Sequence, residues 1–510
     1  MKIVSASEAA NLVRSEWRLV TSGFGSCGHP DALTVALRER FLRTSLPQNL
    51  KLLFAAGSGD KLGRGLDQLA LPGLIDQAIG GFWGLCPKLS EMADKGEIEA
   101  HNWPQGVISK LFSKIASKSP GVISHVGIDT FVDPAHDGGV IDNSGRQPLV
   151  ERTAFNGVDY LFYPSQKVDC AFLRGTAADE YGNILFCEET SYMDALAQAS
   201  AAKNSGGIVV VQVKKLISNN IEPGKVKIPG FLVDYVVVAD ECYHPQTYGT
   251  YFNKAYTTRQ ELDGVEVVKN FPLSKQIIIE RATQELIKYP GANVNLGIGI
   301  PASIGERAKS LVWTDFTLTV ESGLVGGIPD KDLSFGASKS PLAMMEQSAL
   351  FDFYDGGGLD LAFLGFGEVD QSCNVNVSRL GSKRPGSGGF INISQTAKNI
   401  VFCGTFTAGG LEVEVVNGEL HVLNEGDIKK FVNCIAHRTF SASLAEASRQ
   451  SVILITERAV FSMLRNKLFL TEIAPGIKPE CLAKQIPFEF EVSKELKFME
   501  CSMFSLEFGS

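Results

Sequence analysis

The sequence predicts an α/β protein built from two similar open-sheet domains. Its 510 residues are too many for one ordinary hydrophobic core, since a domain usually has roughly 100–200 residues. The chain has 51 glycines and many short Val/Ile runs flanked by helical segments, a pattern typical of α/β layers. A stretch of the first half also recurs in the second half, which indicates a duplicated scaffold.

The repeat is clearest in two stretches, AFLRGTAADEYGNILF in the first half and AFLGFGEVDQSCNVNV in the second. Aligned without a gap, they share Ala-Phe-Leu, then an aspartate at Asp179 and Asp370, and an asparagine at Asn183 and Asn374. Chance does not easily produce this agreement over such a length. We interpret the repeat as two similar α/β domains that face each other across a cleft.

The first half predicts alternating helices and strands. Ser5 and Glu8 form a capping box before a helix, and RLVTSGFGSCGHPDALTVALRERFL predicts a strand, a Gly-rich turn and a helix. The turn lacks the spacing of a dinucleotide site, so a structural turn and a loop for a phosphate or acyl group both stay open. Further predicted elements are strands at 51–59, 121–128, 158–164 and 168–175, a helix at 191–204, and buried parallel strands in GGIVVVQVKKL and GFLVDYVVVAD.

A connector is predicted at residues 241–273. It begins with ECYHPQTYGTYFNKAYTTRQELDG, which has four tyrosines, few branched aliphatic residues and no clear period. The flanking domains are then 1–240 and 274–510. The second half restarts with a helix in SKQIIIERATQELIKY, a strand and turn in ANVNLGIGIPASIGERA, and a strand in FTLTVESG, which is the order seen at the N-terminus.

Composition excludes several classes of function. A net charge of −9 and a pI near 5.5 leave no basic stripe for nucleic acid or an anionic membrane. The ten cysteines lack a C-x-x-C pair and the seven histidines lack metal-ligand spacing, so we expect reduced thiols and no metal. The N-terminus has no apolar signal core and no apolar run is long enough to span a membrane, so we expect a cytoplasmic protein.

The segment TLTVESGLVGG places one acid at a distinctive position. A short predicted strand ends at Val320 and is followed by Glu321 and a Gly-rich turn. Ligands bind at the carboxyl ends of strands in open α/β sheets, so Glu321 is a candidate catalytic group. Aligning FAAGSG with TVESG puts Gly57 opposite Glu321, so only one repeat carries the acid. A solvated or helix-capping Glu stays the alternative.

Three further stretches are candidates to act with Glu321. The GIGIP turn at 297–301 follows a strand and offers backbone N–H groups to an anion, although a mere turn has the same sequence. Gln105 in NWPQGVIS is an uncharged donor suited to a carboxylate or an oxyanion. RLGSKRPGSGGFINIS is either a basic phosphate-binding loop or a surface loop. It contains the bases Arg379, Lys383 and Arg384 before the glycines Gly386, Gly388 and Gly389.

The chain resembles the family I CoA-transferases, most closely the acetate/propionate and short-chain 3-ketoacid types in which α and β parts are fused. The matching stretches are GFGSCGHP, IGGFWGLCPKL, NWPQGVIS, DTFVDP, RGTAADEYGN, VNLGIGIP, TVESGLVGGIP, FDFYDGGGLDLAFLG, GSGGFINISQ, VFCGTFTAGG and LTEIAPGI. Ser22 and Cys373 depart from the family pattern at positions where it has glycine. Both departures concern the shape of loops near the substrate and remove no reacting group.

The resemblance implies the fold and the reaction. It implies Rossmann-like open-sheet domains of the CoA-transferase type, with 1–240 as the alpha-type domain and 274–510 as the beta-type domain. Glu321 matches the nucleophile that attacks an acyl-CoA thioester, forms a mixed anhydride and becomes a glutamyl-CoA thioester, which an acceptor carboxylate resolves by ping-pong chemistry. Coenzyme A is then substrate and covalent intermediate, and no cofactor is bound permanently.

The resemblance also assigns the other site residues. The oxyanion donors are Gln105 and the backbone at Gly388 and Gly389. The CoA-contacting residues are Gly297, Ile298, Gly299, Ile300 and Pro301, with Lys383 of the basic loop, and the expected substrate-side residues are Phe24 and Gly25.

The expected function is reversible transfer of CoA from a short-chain acyl-CoA to an acid such as acetate, as in short-chain fatty acid and ketone body metabolism. Acetate, propionate, butyrate and acetoacetate differ too little for the sequence to choose among them. Family analogy predicts a homo-oligomer. Two alternatives are acyl-CoA hydrolysis on the same scaffold and a catalytically silent paralogue that binds CoA.

Overall fold

An open, largely parallel sheet organises each of two units of the chain. The computed structural model describes residues 1–142, 146–218, 221–260, 271–311, 313 and 315–504. Unit 1 consists of Met1–Gln260, Val320–Asp352 and Arg384–Asn392, and unit 2 of Glu261–Thr319, Phe353–Lys383 and Ile393–Ser510. Two segments of the second half of the chain therefore belong to unit 1.

The predicted domains 1–240 and 274–510 and the predicted connector 241–273 describe the repeat in the sequence, and they stay a prediction. In the structure, the first twenty residues of the connector belong to unit 1, where they include the short 3-10 helices Glu241–Tyr243 and Lys254–Tyr256. Residues 261–270 of the connector lie outside the described residues.

The sheet of unit 1 is entirely parallel. In spatial order its strands are Lys2–Ile3, Tyr235–Val238, Ile208–Val213, Cys170–Arg174, Arg18–Thr21, Leu50–Ala56, Ile75–Phe82 and Glu99–Asn102. The apolar runs predicted as buried parallel strands are the second and third of these. Parallel strands need crossover connections, and here helices supply several of them.

Helices cover both faces of this sheet. Neighbouring residues of one strand, such as Leu52 and Leu53, enter different hydrophobic clusters because side chains alternate across a strand. The helices of unit 1 are Ala6–Leu12, Asp31–Thr44, Pro87–Asp94, Gln105–Ala116 and Ala195–Asn204. The first has the predicted capping box between Ser5 and Glu8. The last begins at Ala195 rather than at the predicted residue 191.

Shorter strands pair outside the main sheet of unit 1. One antiparallel group contains Gly121–Ser124, Val158–Pro164 and Glu151–Phe155, and another contains Lys215–Leu216, Ala177–Ala178, Ile184–Leu185 and Val226–Ile228. In the segment from the second half, Leu324–Val325 pairs with Ala343–Met344, and Ile328–Pro329 with Ser338–Lys339. These pairs fold the chain after Glu321 into a compact loop.

The main sheet of unit 2 is mixed. Five parallel strands are, in spatial order, Phe316–Val320, Ala292–Leu296, Leu361–Gly365, Asn399–Cys403 and Ser451–Ile455. They are followed by the antiparallel Ala459–Leu464 and Lys467–Ile473, and by Glu491–Phe498 parallel to the latter. The helices are Leu273–Ile287, Ile304–Ser310, Ala442–Ala447 and Pro479–Ala483. Gln347–Asp355 and Phe390–Thr396 each span a boundary between the two units.

Smaller sheets complete unit 2. Glu368–Asp370 pairs with Val375–Asn376 and Phe431–Val432, and Thr407–Ala408 pairs with Ile428–Lys429. Glu412–Val416 and Glu419–Asn424 form the hairpin around Asn417 and Gly418, both with positive φ. The core of unit 2 packs Ile278, Ala282 and Leu286 of one helix against the parallel strands.

The two halves share a hydrogen-bonded turn. The Asp179 carboxylate accepts the backbone N–H and the side-chain amide of Asn183, both at 2.8 Å. The Asp370 carboxylate accepts the same two groups of Asn374, at 2.9 and 3.1 Å. The residue before each asparagine has a positive φ, 84° at Gly182 and 64° at Cys373. Cys373 therefore keeps the left-handed turn at the cost expected of a side chain there.

Loss of either aspartate should destabilise the protein. Asp179→Ala and Asp370→Ala each remove the acceptor of three hydrogen bonds, including one from the N–H of Tyr181 or Ser372. Bonds to a charged acceptor contribute about 1 kcal/mol or more each, so we expect a loss of about 2–3 kcal/mol per variant in urea unfolding. The exposed Asp76→Ala is the control. A change below about 0.5 kcal/mol at either turn would contradict the shared role.

Candidate active site

Glu321 follows the strand Phe316–Val320 and lies in unit 1. It is only 8% exposed. The N–H of Gly323 donates to the Val320 carbonyl at 3.0 Å, which turns the chain immediately after the carboxylate. The Ser322 hydroxyl donates to the Gly336 carbonyl at 2.8 Å, so the turn is anchored on both sides of its tip. The predicted solvated role of Glu321 does not fit this burial.

The backbone at Gly389 passes directly beside Glu321. A Cβ built on Gly389 would lie 3.2 Å from Cγ of Glu321 and 3.2 Å from the ring of Phe351. Any side chain at this position would push against the carboxylate stem or against the ring. The glycine therefore permits the close approach that the Gly-rich sequence predicted.

Gln105 is the first residue of the helix Gln105–Ala116 and is buried. Its N–H donates to the Gly388 carbonyl at 3.0 Å. A Cβ on Gly388 would lie 3.6 Å from Oε1 of the Gln105 side chain. The structure thus brings together Gln105, Gly388, Gly389 and Glu321, the four residues predicted as catalytic.

The two glycines are not equivalent donors. The N–H of Gly388 donates to the Gly81 carbonyl at 2.8 Å, at the end of the strand Ile75–Phe82. This bond holds the loop in place, so Gly389 is the residue of the pair whose N–H suits a substrate oxygen. The N–H of Ser387 donates to Asn102 at 2.9 Å and adds a second anchor. Sequence alone does not distinguish the two positions.

The substrate-side prediction at Phe24 and Gly25 places these residues in a packed loop. Phe24 is buried and its ring lies 5.8 Å from the Phe335 ring. The loop is closed by Ser22, whose hydroxyl donates to the Gly28 carbonyl at 2.9 Å and accepts the N–H of Arg174 at 3.0 Å. Ser22 therefore stabilises the loop where the family has glycine. A direct substrate contact at Phe24 stays a prediction.

The predicted CoA-contacting residues belong to unit 2. The GIGIP loop follows the strand Ala292–Leu296, where the N–H of Gly297 donates to the Phe363 carbonyl at 2.8 Å. Ile298 is 53% exposed, and Gly299 has a φ of 88° with open space around it. Lys383 lies in unit 2 and is exposed. Both positions are accessible to a ligand.

Arg384, the neighbouring base of the predicted phosphate loop, is already engaged. Its guanidinium forms an ion pair with Asp94 in unit 1. Its positive charge is therefore balanced by a carboxylate of the same unit. Among the bases predicted for phosphate, Lys383 fits that role better than Arg384.

Sequence reasoning missed a buried polar cluster beside Gln105. The Gln105 amide donates to Oε1 of Gln347 at 3.5 Å, and the Gln347 amide donates to Asp194 at 2.7 Å. The Ser109 hydroxyl also donates to Asp194. Burial, with a smaller contribution from the nearby Glu346, raises the pKa of Asp194 to about 7, against the opposing effect of the hydrogen bonds from Ser109 and Gln347. Burial likewise raises the pKa of Glu346 to about 7, against the effect of Lys227.

No signal in the sequence identifies this cluster. Asp194 lies within the predicted helix 191–204, where a polar residue is usually solvated. Gln347 is the first residue of an ordinary amphipathic helix, Gln347–Asp355. Asp194 and Gln347 are 153 residues apart in the sequence, so no local pattern relates them. Elsewhere, the described residues contain no group of three or more His, Cys, Asp or Glu side chains arranged to hold a metal.

The sequence and structure match known CoA-transferases. The family model "Coenzyme A transferase" matches residues 3–239. The chain is 40% identical over 509 residues to acetate CoA-transferase YdiF of Escherichia coli K12, covering 98% of this chain and 95% of that protein. It is 40% identical to caffeate CoA-transferase of Acetobacterium woodii, covering 99% and 97% of the two chains.

A solved structure extends the match to the whole fold. The thioester complex of Escherichia coli O157:H7 YdiF with CoA superposes with a TM-score of 0.93 and 37% identity, covering 100% of this chain and 97% of that one. The chain therefore belongs to the coenzyme A transferase family. The predicted α/β fold of CoA-transferase type is confirmed. In the described part of the chain, no helix has the length and apolar character needed to cross a membrane.

Gly389→Ala should impair the site more than Gly388→Ala. The new methyl group at 389 meets Glu321 and Phe351 at 3.2 Å, whereas at 388 the nearest atoms are 3.5 Å away. We expect a fall in kcat of at least about 10-fold for Gly389→Ala, since small displacements of reacting groups are costly. Gly388→Ala should lower mainly stability, because its φ is 52°. Equal kcat values for the two variants would contradict this geometry.

Stability should fall as the pH rises from about 5 to 8. Asp194 and Glu346 have folded-state pKa values of about 7, above the usual range of a free carboxyl. The folded state therefore binds more protons, and the stability this contributes is present below the unfolded pKa and lost as the pH passes 7. Asp194→Asn should flatten this fall in melting temperature, measured from pH 5 to 8. The exposed Asp76→Asn should leave it unchanged. An unaltered slope in Asp194→Asn would refute the assignment.

Proposed function

We propose that this protein transfers coenzyme A reversibly from a short-chain acyl-CoA to a carboxylic acid such as acetate, with Glu321 as nucleophile. The observation that carries the proposal is the buried Glu321 carboxylate held against the Gly389 backbone. The similarity over nearly the whole chain to an acetate CoA-transferase supports the substrate class. The chain is equally similar to a caffeate CoA-transferase, so the proposal includes carboxylic acids other than acetate.

The first half-reaction proceeds through two acyl transfers at Glu321. The carboxylate attacks the thioester carbonyl, the C–S bond breaks, and CoA leaves as a thiolate with the electron pair. The thiolate then attacks the glutamyl carbonyl of the mixed anhydride, and the first acid leaves as a carboxylate. A glutamyl-CoA thioester remains. Thioester and anhydride are both activated acyl groups, so a carboxylate is a sufficient nucleophile.

The second half-reaction reverses both steps with the acceptor acid. The acceptor carboxylate attacks the glutamyl thioester, and the released thiolate attacks the acceptor carbonyl of the new anhydride. Glu321 is regenerated as a carboxylate and the acceptor leaves as its CoA thioester. No net proton is consumed.

Each attack places negative charge on a carbonyl oxygen. Gln105 and the Gly389 N–H are the donors that we assign to this charge, and a preorganised donor is worth on the order of 3 kcal/mol. The exposed GIGIP loop and Lys383 are assigned to the CoA carrier. Interactions with this remote part of the substrate lower the barrier when they strengthen toward the transition state.

We also propose a cytoplasmic location and a homo-oligomeric state, both on the basis of the family resemblance. The ten free cysteines are consistent with a reducing compartment.

Glu321→Gln should abolish the covalent intermediate. Wild-type protein incubated with acetyl-CoA should gain the mass of CoA less water, and borohydride reduction should place the modification at Glu321. The variant should show no adduct and at least about 10³-fold lower CoA transfer, because a nucleophile is lost. Glu285→Gln is a matched control, since Glu285 is also 8% exposed but lies in a helix of unit 2.

The same experiment separates the alternatives. Absence of an adduct on wild-type Glu321 would refute the proposal. Release of free thiol from acetyl-CoA at a rate independent of added acetate would indicate a hydrolase. Binding of CoA without exchange of labelled acetate into acetyl-CoA would indicate a silent paralogue.

A further inference from the structure

Gln105 is the end of a buried chain of polar side chains in unit 1. From Gln105 the chain passes to Gln347 at 3.5 Å, from Gln347 to Asp194 at 2.7 Å, and from Asp194 to the Ser109 hydroxyl. All four residues are buried. Ser109 lies one helical turn after Gln105 on the same helix, so the chain returns to the element where it began.

Each link in this chain has a direction. An ionised carboxylate can only accept hydrogen bonds, so Asp194 requires the NH₂ end of the Gln347 amide. The Oε1 end of Gln347 must then face the other way, where it accepts from the NH₂ end of Gln105. That NH₂ group has a second N–H for another acceptor. The ionised state of Asp194 therefore determines the orientation of two amides in series.

The backbone fixes the ends of this chain relative to Glu321. The N–H of Gln347 donates to the Met193 carbonyl at 2.9 Å, directly before Asp194. The Ser191 hydroxyl donates to the Ser322 carbonyl at 2.6 Å, directly after Glu321. The segment that carries Asp194 is thus anchored to the turn that carries the nucleophile. A change at Asp194 is transmitted to the site through few bonds.

We propose that Asp194 and Gln347 are positioning residues that hold the NH₂ end of the Gln105 amide toward the reacting carbonyl. The inference rests on the proposed function, because it assumes that Gln105 stabilises the oxyanion of CoA transfer. Reversal of the two amides would present Oε1 of Gln105 instead. A carbonyl oxygen beside the developing oxyanion would be repulsive where a donor is stabilising.

The charges around Asp194 make this orientation sensitive to pH. Asp194 faces the Ser109 hydroxyl of the helix Gln105–Ala116. It also faces Gln347, the first residue of the helix Gln347–Asp355, and the half-buried Glu346 directly before that helix. Lys227 acts on Glu346 and lies 3.8 Å above the Tyr192 ring. A protonated Asp194 is able to donate to Oε1 of Gln347 and so permits the reversed orientation.

A double-mutant cycle tests the proposal. The variants are Asp194→Asn, Gln105→Met and the double variant, and the measurements are kcat and KM for exchange of labelled acetate with acetyl-CoA from pH 5.5 to 8.5. Asn at 194 can either donate or accept, so it no longer selects one orientation. We expect kcat to fall about 10–100-fold with KM changed less than about 3-fold, because one oxyanion donor is worth up to about 10²–10³ in kcat.

Two results distinguish positioning from a structural role. In the Gln105→Met background, Asp194→Asn should cost less than about 3-fold, since the amide on which it acts is absent. The decline of wild-type kcat below about pH 7 should also be lost in Asp194→Asn. Additive effects in the cycle, or an unchanged pH profile, would overturn the proposal.

Two further variants keep the test decisive. Gln347→Met removes the amide that relays the orientation from Asp194 to Gln105, at nearly constant side-chain volume. If Asp194→Asn does not fold, Gln347→Met takes its place in the double-mutant cycle and should give the same results. Gln198→Met is the matched control, because this buried amide in the helix after Asp194 donates to the Thr21 carbonyl at 3.1 Å and has no part in the relay. It should be additive with Gln105→Met and leave the pH profile unchanged.

The covalent adduct separates this proposal from the proposed function. If wild-type protein forms no adduct on Glu321, the proposed function fails and the positioning role fails with it. If the adduct forms and the cycle is additive, CoA transfer stands and only the positioning role is refuted.

Discussion

The contact between the Gly389 backbone and the Glu321 side chain is the constraint on which the rest of the site depends. It requires a glycine, a turn directly after the strand and a loop held from outside by Gly81 and Asn102. A nucleophilic carboxylate must approach a carbonyl carbon that is simultaneously within reach of its donors. Because Gly389 has no side chain, its backbone can lie directly beside the Glu321 side chain.

The donors that we assign to the oxyanion are neutral amides and not cations. A cationic donor beside Glu321 would form an ion pair with the carboxylate and reduce the nucleophilicity that we propose for it. An amide donates to the oxyanion without neutralising the nucleophile. The two acids of the neighbouring cluster, Asp194 and Glu346, have raised pKa values because burial favours their neutral, protonated forms. The polarity of the site is thus set mainly by hydrogen-bond direction.

The sequence predicted those elements of the fold that depend on residues close together in the chain. The buried apolar strands and the capping box at Ser5 were predictable because each depends on neighbours within a few residues. Glu321 was predicted from its position at the end of a strand, and Gln105 from its uncharged amide and the family resemblance. Asp194 and Gln347 were not, since their role exists only through a contact between distant segments. The use of the Gly388 N–H by Gly81 is hidden from the sequence for the same reason.

The assignment of Val320–Asp352 and Arg384–Asn392 to unit 1 has a consequence for how the chain can be divided. Glu321, Gly389 and Gln347 come from the second half of the sequence, whereas Gln105, Ser109 and Asp194 come from the first. Neither half contains all the residues that we propose for catalysis, although these residues lie within one unit. Cleavage in the connector would therefore give two fragments that are each inert by themselves. Activity would then report fragment complementation, a direct measure of how well the two halves reassemble.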